Sequence, residues 1–245
     1  MEIIVLRTIS YLYYLIGVIL FGVVAIYVYL KRTDRKLVQI FLLGLIVGIG
    51  FELTMGLTGQ RNLYIEGLGY SPFLSIIMGL FEINATTTMA YVFAKRVINE
   101  RYSFSLIYLI IVSVSLGSFP LLNVIFSNLG ISWIIQPIIS ERPLFLASVF
   151  FSIGITALCF FILWYRLRNW NYILHYFMYL VVWGFLYIII ALLCGFRGYQ
   201  ITDAISPWLI TILLVCHTAF FEVAGLMLVP LSLGALFRIK FCEVA

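Results

Sequence analysis

Seven runs of about twenty predominantly apolar residues divide this chain, at roughly 9–30, 37–58, 72–94, 104–126, 144–166, 171–194 and 207–231. Each is long enough to cross a hydrocarbon layer of about 30 Å as an α-helix. Charged residues make up only 10% and the mean hydropathy is +1.14, which excludes a soluble globular domain, whose apolar share is nearer half. The expected fold is therefore all-α. One seven-transmembrane-helix bundle should occupy residues 1–245 as a multi-pass protein of the cell membrane, with almost nothing left over for a soluble domain.

Basic residues at the ends of the runs set the orientation. One side collects Lys31, Arg32, Arg35, Lys36, Lys95, Arg96, Arg101, Arg166, Arg168, Arg238 and Lys240; the other collects Arg7, Arg61, Arg142 and Arg197. Eleven against four puts the N-terminus outside and the C-terminus in the cytoplasm. The first run has no charged segment ahead of it and is followed by KRTDRK, so it reads as a spanning helix and not as a cleaved leader. The net charge of +5 is then a topology signal. A basic rim of this kind attracts anionic lipid head groups, and nothing in the sequence points to nucleic acid.

The connections carry the helix punctuation. Pro72 and Pro207 each suit the first turn of a helix, while Pro120 and Pro230 fall inside apolar runs and are expected to break them. Between Ser127 and Pro143, ISWIIQPII with Trp133 reads as an amphipathic stretch lying at the interface. Cys159, Cys194, Cys216 and Cys242 show no CxxC spacing and read as packing residues without a disulfide framework.

Against this apolar background three carboxylic acids stand out: Glu52, Glu82 and Glu222. An ionisable group at membrane depth is costly, and it usually faces a protein interior or a wet cavity. At a rise of about 1.5 Å per residue, Glu52 lies roughly 9 Å below the outer boundary, Glu82 roughly 14 Å, His217 roughly 15 Å and Glu222 roughly 22 Å. If all face inward, they form a ladder of titratable groups.

Neighbouring residues strengthen the pattern. In FEINATTTMAY, Glu82 and Thr86 share a helix face at i, i+4, while Asn84, Thr87 and Thr88 widen the polar stripe. Thr218 and Glu222 share a face in the same way. His217 and Glu222 are five apart, and on an α-helix they point about 140° away from each other. Gly44 and Gly48 form a GxxxG pattern that lets helices approach closely, and Glu52 follows it directly. A carboxylic acid desolvated beside such a seam is a proton donor near neutral pH. For each acid, a neutral hydrogen-bonded bridge between helices is the structural alternative.

Counting narrows the chemistry. Two histidines are too few for histidine-rich di-iron or zinc sites, and His175, near the inner boundary, stands about 15 Å in height from His217, which disfavours a bis-His haem. Lys31, Lys36, Lys95 and Lys240 sit at the cytoplasmic edge, so no lysine is placed to carry a retinal Schiff base. A metal held by Glu52, Glu82 and His217 is a minor alternative. The preferred reading requires neither cofactor nor metal.

The segment Glu52-Leu-Thr-Met-Gly56-Leu-Thr58-Gly59, followed by Tyr64 and Leu68-Gly69, resembles the integral-membrane carotenoid biosynthesis proteins of the carotenoid hydratase family. The resemblance covers residues 52–69. It implies hydration of a terminal double bond of an acyclic carotenoid, a lyase activity, with Glu52 as the position carried over. Glu52, Glu82, Glu222 and His217 are accordingly the candidate catalytic residues, with Asn84, Thr86, Thr218 and Tyr64 as polar or substrate-binding support. The expected partners are a lipid-soluble isoprenoid or carotenoid and the membrane lipid itself; cyclisation and isomerisation are open beside hydration. Two other classes stay open: a proton-coupled transporter or relay, and a membrane-anchor subunit of a larger complex.

Overall fold

The computed structural model describes residues 3–58, 62–65, 69–70, 72–99, 119–131, 137–143, 146–193, 197–201 and 206–237. Helix α1 (Tyr11–Leu30) turns through Asp34 into α2 (Arg35–Leu57). Next come α3 (Pro72–Met78), a π-helical segment Gly79–Ala85 and α4 (Thr86–Asn99), in unbroken succession. Helix α5 (Phe119–Asn128) is followed by α6 (Leu146–Leu167) and α7 (Trp170–Leu193). The last stretch joins α8 (Pro207–His217), a second π-helical segment Thr218–Val223 and α9 (Ala224–Leu236).

Six helical stretches among the described residues are long and apolar enough to cross a membrane, at 11–30, 35–57, 72–92, 148–167, 170–193 and 207–236. They coincide with six of the seven expected runs. The fourth, 104–126, is described only from residue 119. The chain is thus a multi-pass, predominantly helical membrane protein. Its outward faces are apolar: Ile26, Ile46 and Phe151 are among many large side chains more than 60% exposed. Lipid tails are the solvent in which such a surface costs nothing.

Inside, the core joins α4, α6, α7 and α9 through Tyr91, Leu163, Ile173, Leu180, Leu228 and Leu231, all essentially inaccessible. The fully buried Tyr176 hydroxyl lies 3.3 Å from the carbonyl oxygens of both Thr87 and Met227, tying α7 to α4 and α9. The expected GxxxG seam is present: a Cβ on Gly48 would overlap the carbonyl oxygen of Gly79, and one on Gly44 would lie 2.8 Å from Asn84 Oδ1. Helix α2 therefore packs backbone to backbone on the first π segment. Pro230, expected to break its helix, sits within a continuous α9. The missing N–H of Pro230 leaves one carbonyl of the preceding turn without its helical partner, and the helix continues past it.

One feature departs from the all-helical expectation. Five strands, β1 (Ile3–Ser10), β2 (Asn62–Ile65), β3 (Gly69–Tyr70), β4 (Pro137–Pro143) and β5 (Arg197–Ile201), form an antiparallel sheet in the order β3-β2-β4-β1-β5. Arg7 pairs with Ser140 on one side and with Arg197 on the other. The first run thus begins as a strand, and its helix starts at Tyr11. Of the amphipathic stretch expected at the interface, Pro137–Ile139 belong to β4, and Trp133 lies outside the described residues. IIVLRTIS is rich in β-branched residues, but its apolar character is continuous with α1 and conceals the change of structure.

At the other end, Asp34 caps α2 by accepting from the Leu37 N–H at 3.3 Å and pairs with Lys95 Nζ at 2.6 Å. Partial burial pushes the Asp34 carboxyl up, but the Lys95 hydrogen bond, the Leu37 and Lys36 N–H groups and the Lys95 charge outweigh it, leaving the group below the usual carboxylate range.

Candidate functional site

Two of the three intramembrane acids occupy the two π-helical segments found among the described residues: Glu82 in Gly79–Ala85 and Glu222 in Thr218–Val223. π turns inside α-helices are rare and recur at functional sites. They also change the geometry. With i→i+5 hydrogen bonds, residues five apart return toward one face, and His217 Nδ1 lies 3.8 Å from Glu222 Oε1. The 140° separation expected of an α-helix is therefore corrected by the backbone itself.

At the first segment, Tyr13 of α1 donates its hydroxyl to Glu82 Oε1 at 2.5 Å, and the Tyr13 hydroxyl oxygen itself lies 3.4 Å from the Tyr187 hydroxyl of α7. Phe81 directs its ring against Tyr13 and Tyr14, with centroids 5.2 and 6.4 Å away in edge-on contact. Gly17 allows this, since a Cβ there would run into the Phe81 ring. Asn84 is fully buried and accepts from Thr88 at 3.2 Å through Oδ1. Its Nδ2, with Thr87 Oγ1, has no hydrogen-bond partner among the described residues. Orphaned buried groups of this kind cost about 1–3 kcal/mol each unless something else meets them. Thr86 is buried beside them.

The second segment is built differently. Arg197, from β5, has a nearly inaccessible side chain and turns into the bundle. Its Nη2 lies 3.8 Å from Glu222 Oε2 and donates to Thr218 Oγ1 at 3.4 Å, while Nε donates to the Tyr199 hydroxyl at 3.2 Å. Thr218 and Glu222 thus share a face, as their spacing predicts, and meet the same guanidinium. His217 lies between two groups: its Nε2 is 3.0 Å from Ser152 Oγ of α6, and its Nδ1 faces Glu222.

Glu52 is 2% exposed, on α2. It stands four residues outward from Gly48 as Ser75, also buried, stands from Gly79, which puts the two at one level of the seam. Tyr64 has its backbone in β2, opposite Tyr70 and Ile139; its side chain lies outside the described residues, as do residues 59–61 and 66–68 of the resemblance segment. The Glu82 and Glu222 clusters are linked by α7. Tyr187 lies about one turn from Gly184, whose bare face lets Ala219 Cα come within 3.0 Å of where a Cβ would sit.

Tyr13, Tyr187, Ser152 and Arg197 are the residues that sequence reasoning missed. The first two are among 16 tyrosines with nothing local to mark them. Arg197 was countable, but only as an outer-edge charge; its position four residues beyond α7 is within reach of the bundle for so long a side chain. Among the described residues no group of three His, Cys, Asp or Glu converges as a metal site, so Glu52, Glu82 and His217 are not brought together as ligands. Comparison with protein-family models, curated proteins and solved structures finds no match to this chain.

Proposed function

We propose that the protein is a membrane enzyme that protonates a lipid-soluble isoprenoid or carotenoid, with Glu82 as the proton donor and Glu52 as a second acid on the adjoining helix. The observation that carries this reading is the Tyr13–Glu82 hydrogen bond within a π turn. The phenol fixes one carboxyl oxygen, and the transferable proton is then carried by the other. A phenol is a neutral partner and leaves a carboxylic acid able to exist in both protonation states, which is what general acid catalysis requires. Protonating a carbon–carbon double bond yields a cation, and Tyr13, whose hydroxyl meets Glu82, belongs to a cluster with Tyr14 and Phe81 whose π faces would stabilise one. Hydration, cyclisation and isomerisation share this first step.

Seven crossings with the N-terminus outside fit this reading. Helices α3 and α4 carry the chain from the sheet to the rim where Lys95 meets Asp34, yet β4 is back in the sheet. In this reading the 104–126 run supplies the remaining crossing between α4 and β4. The basic residues gather on the Asp34 rim, which is the cytoplasmic one by the positive-inside rule.

Mass spectrometry of lipids and pigments that co-purify with the protein, followed by conversion assays on acyclic polyenes, tests the proposal. Glu82→Gln should lower conversion at least 100-fold with the fold retained. Full activity in both Glu82→Gln and Glu52→Gln would overturn it.

A further inference from the structure

The geometry points to a second catalytic centre, independent of the Glu82 chemistry: Ser152, His217 and Glu222 form a nucleophile, base and orienting acid for acyl transfer from a lipid ester to water. Ser152 Oγ lies 3.0 Å from His217 Nε2, and His217 Nδ1 lies 3.8 Å from Glu222 Oε1. A hydroxyl, an imidazole and a carboxylate met in that order, on opposite ring nitrogens, are the serine-hydrolase arrangement, which is recognised by geometry and not by sequence position. The outer link is longer than a hydrogen bond, as is common before substrate is bound.

Three further observations support it. Ser152 is on α6 whereas His217 and Glu222 are on the last stretch, so the triad spans a helix contact, and the π turn is what brings the five-apart base and acid to one face. Arg197 gives Glu222 a counter-charge at 3.8 Å, so the acid is held from both sides. Ser152 lies six residues inside α6, about 9 Å from its sheet-side end, and so meets His217 within the apolar span. Its neighbours Phe150 and Phe151 are 64% and 66% exposed, while Ser152 itself is on the buried face of α6 that meets the last helical stretch. The hydroxyl also sits 2.8 Å from the Val149 carbonyl oxygen; rotation about the Cβ–Oγ bond selects between that acceptor and His217.

The step balances with water as co-reactant. Ser152 Oγ bonds to the ester carbonyl carbon as its proton passes to His217 Nε2. The carbon–oxygen bond to the alcohol then breaks, and His217 returns that proton to the departing oxygen. Water attacks the acyl-serine by the reverse sequence, releasing the carboxylic acid and restoring the serine. Glu222 is a positioning residue that acts through His217.

A fluorophosphonate bearing a long alkyl chain, applied to the purified protein in lipid nanodiscs, reads the nucleophile directly: Ser152 Oγ bonds to phosphorus, fluoride leaves and His217 takes the proton. Peptide mass spectrometry should find the adduct on Ser152, absent in Ser152→Ala and at least tenfold slower to form in His217→Gln. Glu222→Gln should slow labelling at least tenfold and displace its pH profile, whereas a purely structural role would change the amount of folded protein and leave the profile in place. No adduct on Ser152 in the folded wild-type protein overturns the proposal, and so does undiminished labelling in His217→Gln.

Discussion

The two π turns are the same backbone device loaded with different electrostatics. At Gly79–Ala85 the carboxyl of Glu82 meets a phenol, while at Thr218–Val223 the carboxyl of Glu222 meets a guanidinium and an imidazole. A neutral partner suits a group that must gain and lose a proton, and a cation suits one that must hold a negative charge. Identical residue type and similar local backbone therefore do not imply the same work. The partner contributed by a distant element decides it: Tyr13 from α1 in one case, Arg197 from β5 in the other.

This contrast can be broken by removing each partner. Arg197→Ala should have the largest effect, a loss of about 3–5 kcal/mol, because a buried carboxylate is left without its counter-ion. Thermal unfolding in detergent measures it, and the paired change Arg197→Met with Glu222→Leu should recover most of the loss. The close helix contacts come next. Gly48→Ala drives a methyl into the Gly79 carbonyl oxygen, backbone against backbone, and should cost about 1–3 kcal/mol. Gly184→Ala, where the nearest atom is 3.0 Å away, should cost less; equal losses would remove this distinction between the two π seams. Tyr13→Phe should then cost about 1–2 kcal/mol and slow polyene conversion, since Glu82 keeps its place but loses a donor. A loss as large as that of Arg197→Ala would mean that the two turns are electrostatically alike.

The smallest effect belongs to the rim. Asp34→Asn should cost about 0.5–1 kcal/mol, reflecting an ion pair with one partner 45% and the other 27% exposed. Because the folded carboxyl titrates below its unfolded value of about 3.9, its contribution is complete above that pH and fades as pH falls through the folded value. Stability curves for wild type and Asp34→Asn should converge in acid.

Much of this was legible in the sequence because the membrane imposes long, continuous patterns. Run length identifies six spans, Pro72 and Pro207 mark helix starts, and Gly44 and Gly48 mark a seam. The acids at Glu82 and Glu222 stand out for the same reason, since lipid makes them costly. Partners do not. A tyrosine in α1 or a serine in α6 differs in no local way from its neighbours, and only tertiary contact gives it meaning. The π turns were invisible as well: FEINATTTMAY and HTAFFEV carry no composition that separates an i→i+5 turn from an i→i+4 turn. Strand β1 escaped because β-branched apolar residues serve either a strand or a lipid-facing helix, and its pairing is set by residues more than fifty positions away.

The sheet has a consequence for how the molecule comes to be assembled. Strand β1 lies between β4 and β5, both far along the chain from it, and β5 precedes the helical stretch at 207–236. Pairings so distant in sequence form late and slowly. The sheet can close only once the helices between these strands are in place, and Arg197 reaches Glu222 from β5. Strand pairing and formation of the buried ion pair are therefore coupled steps of assembly.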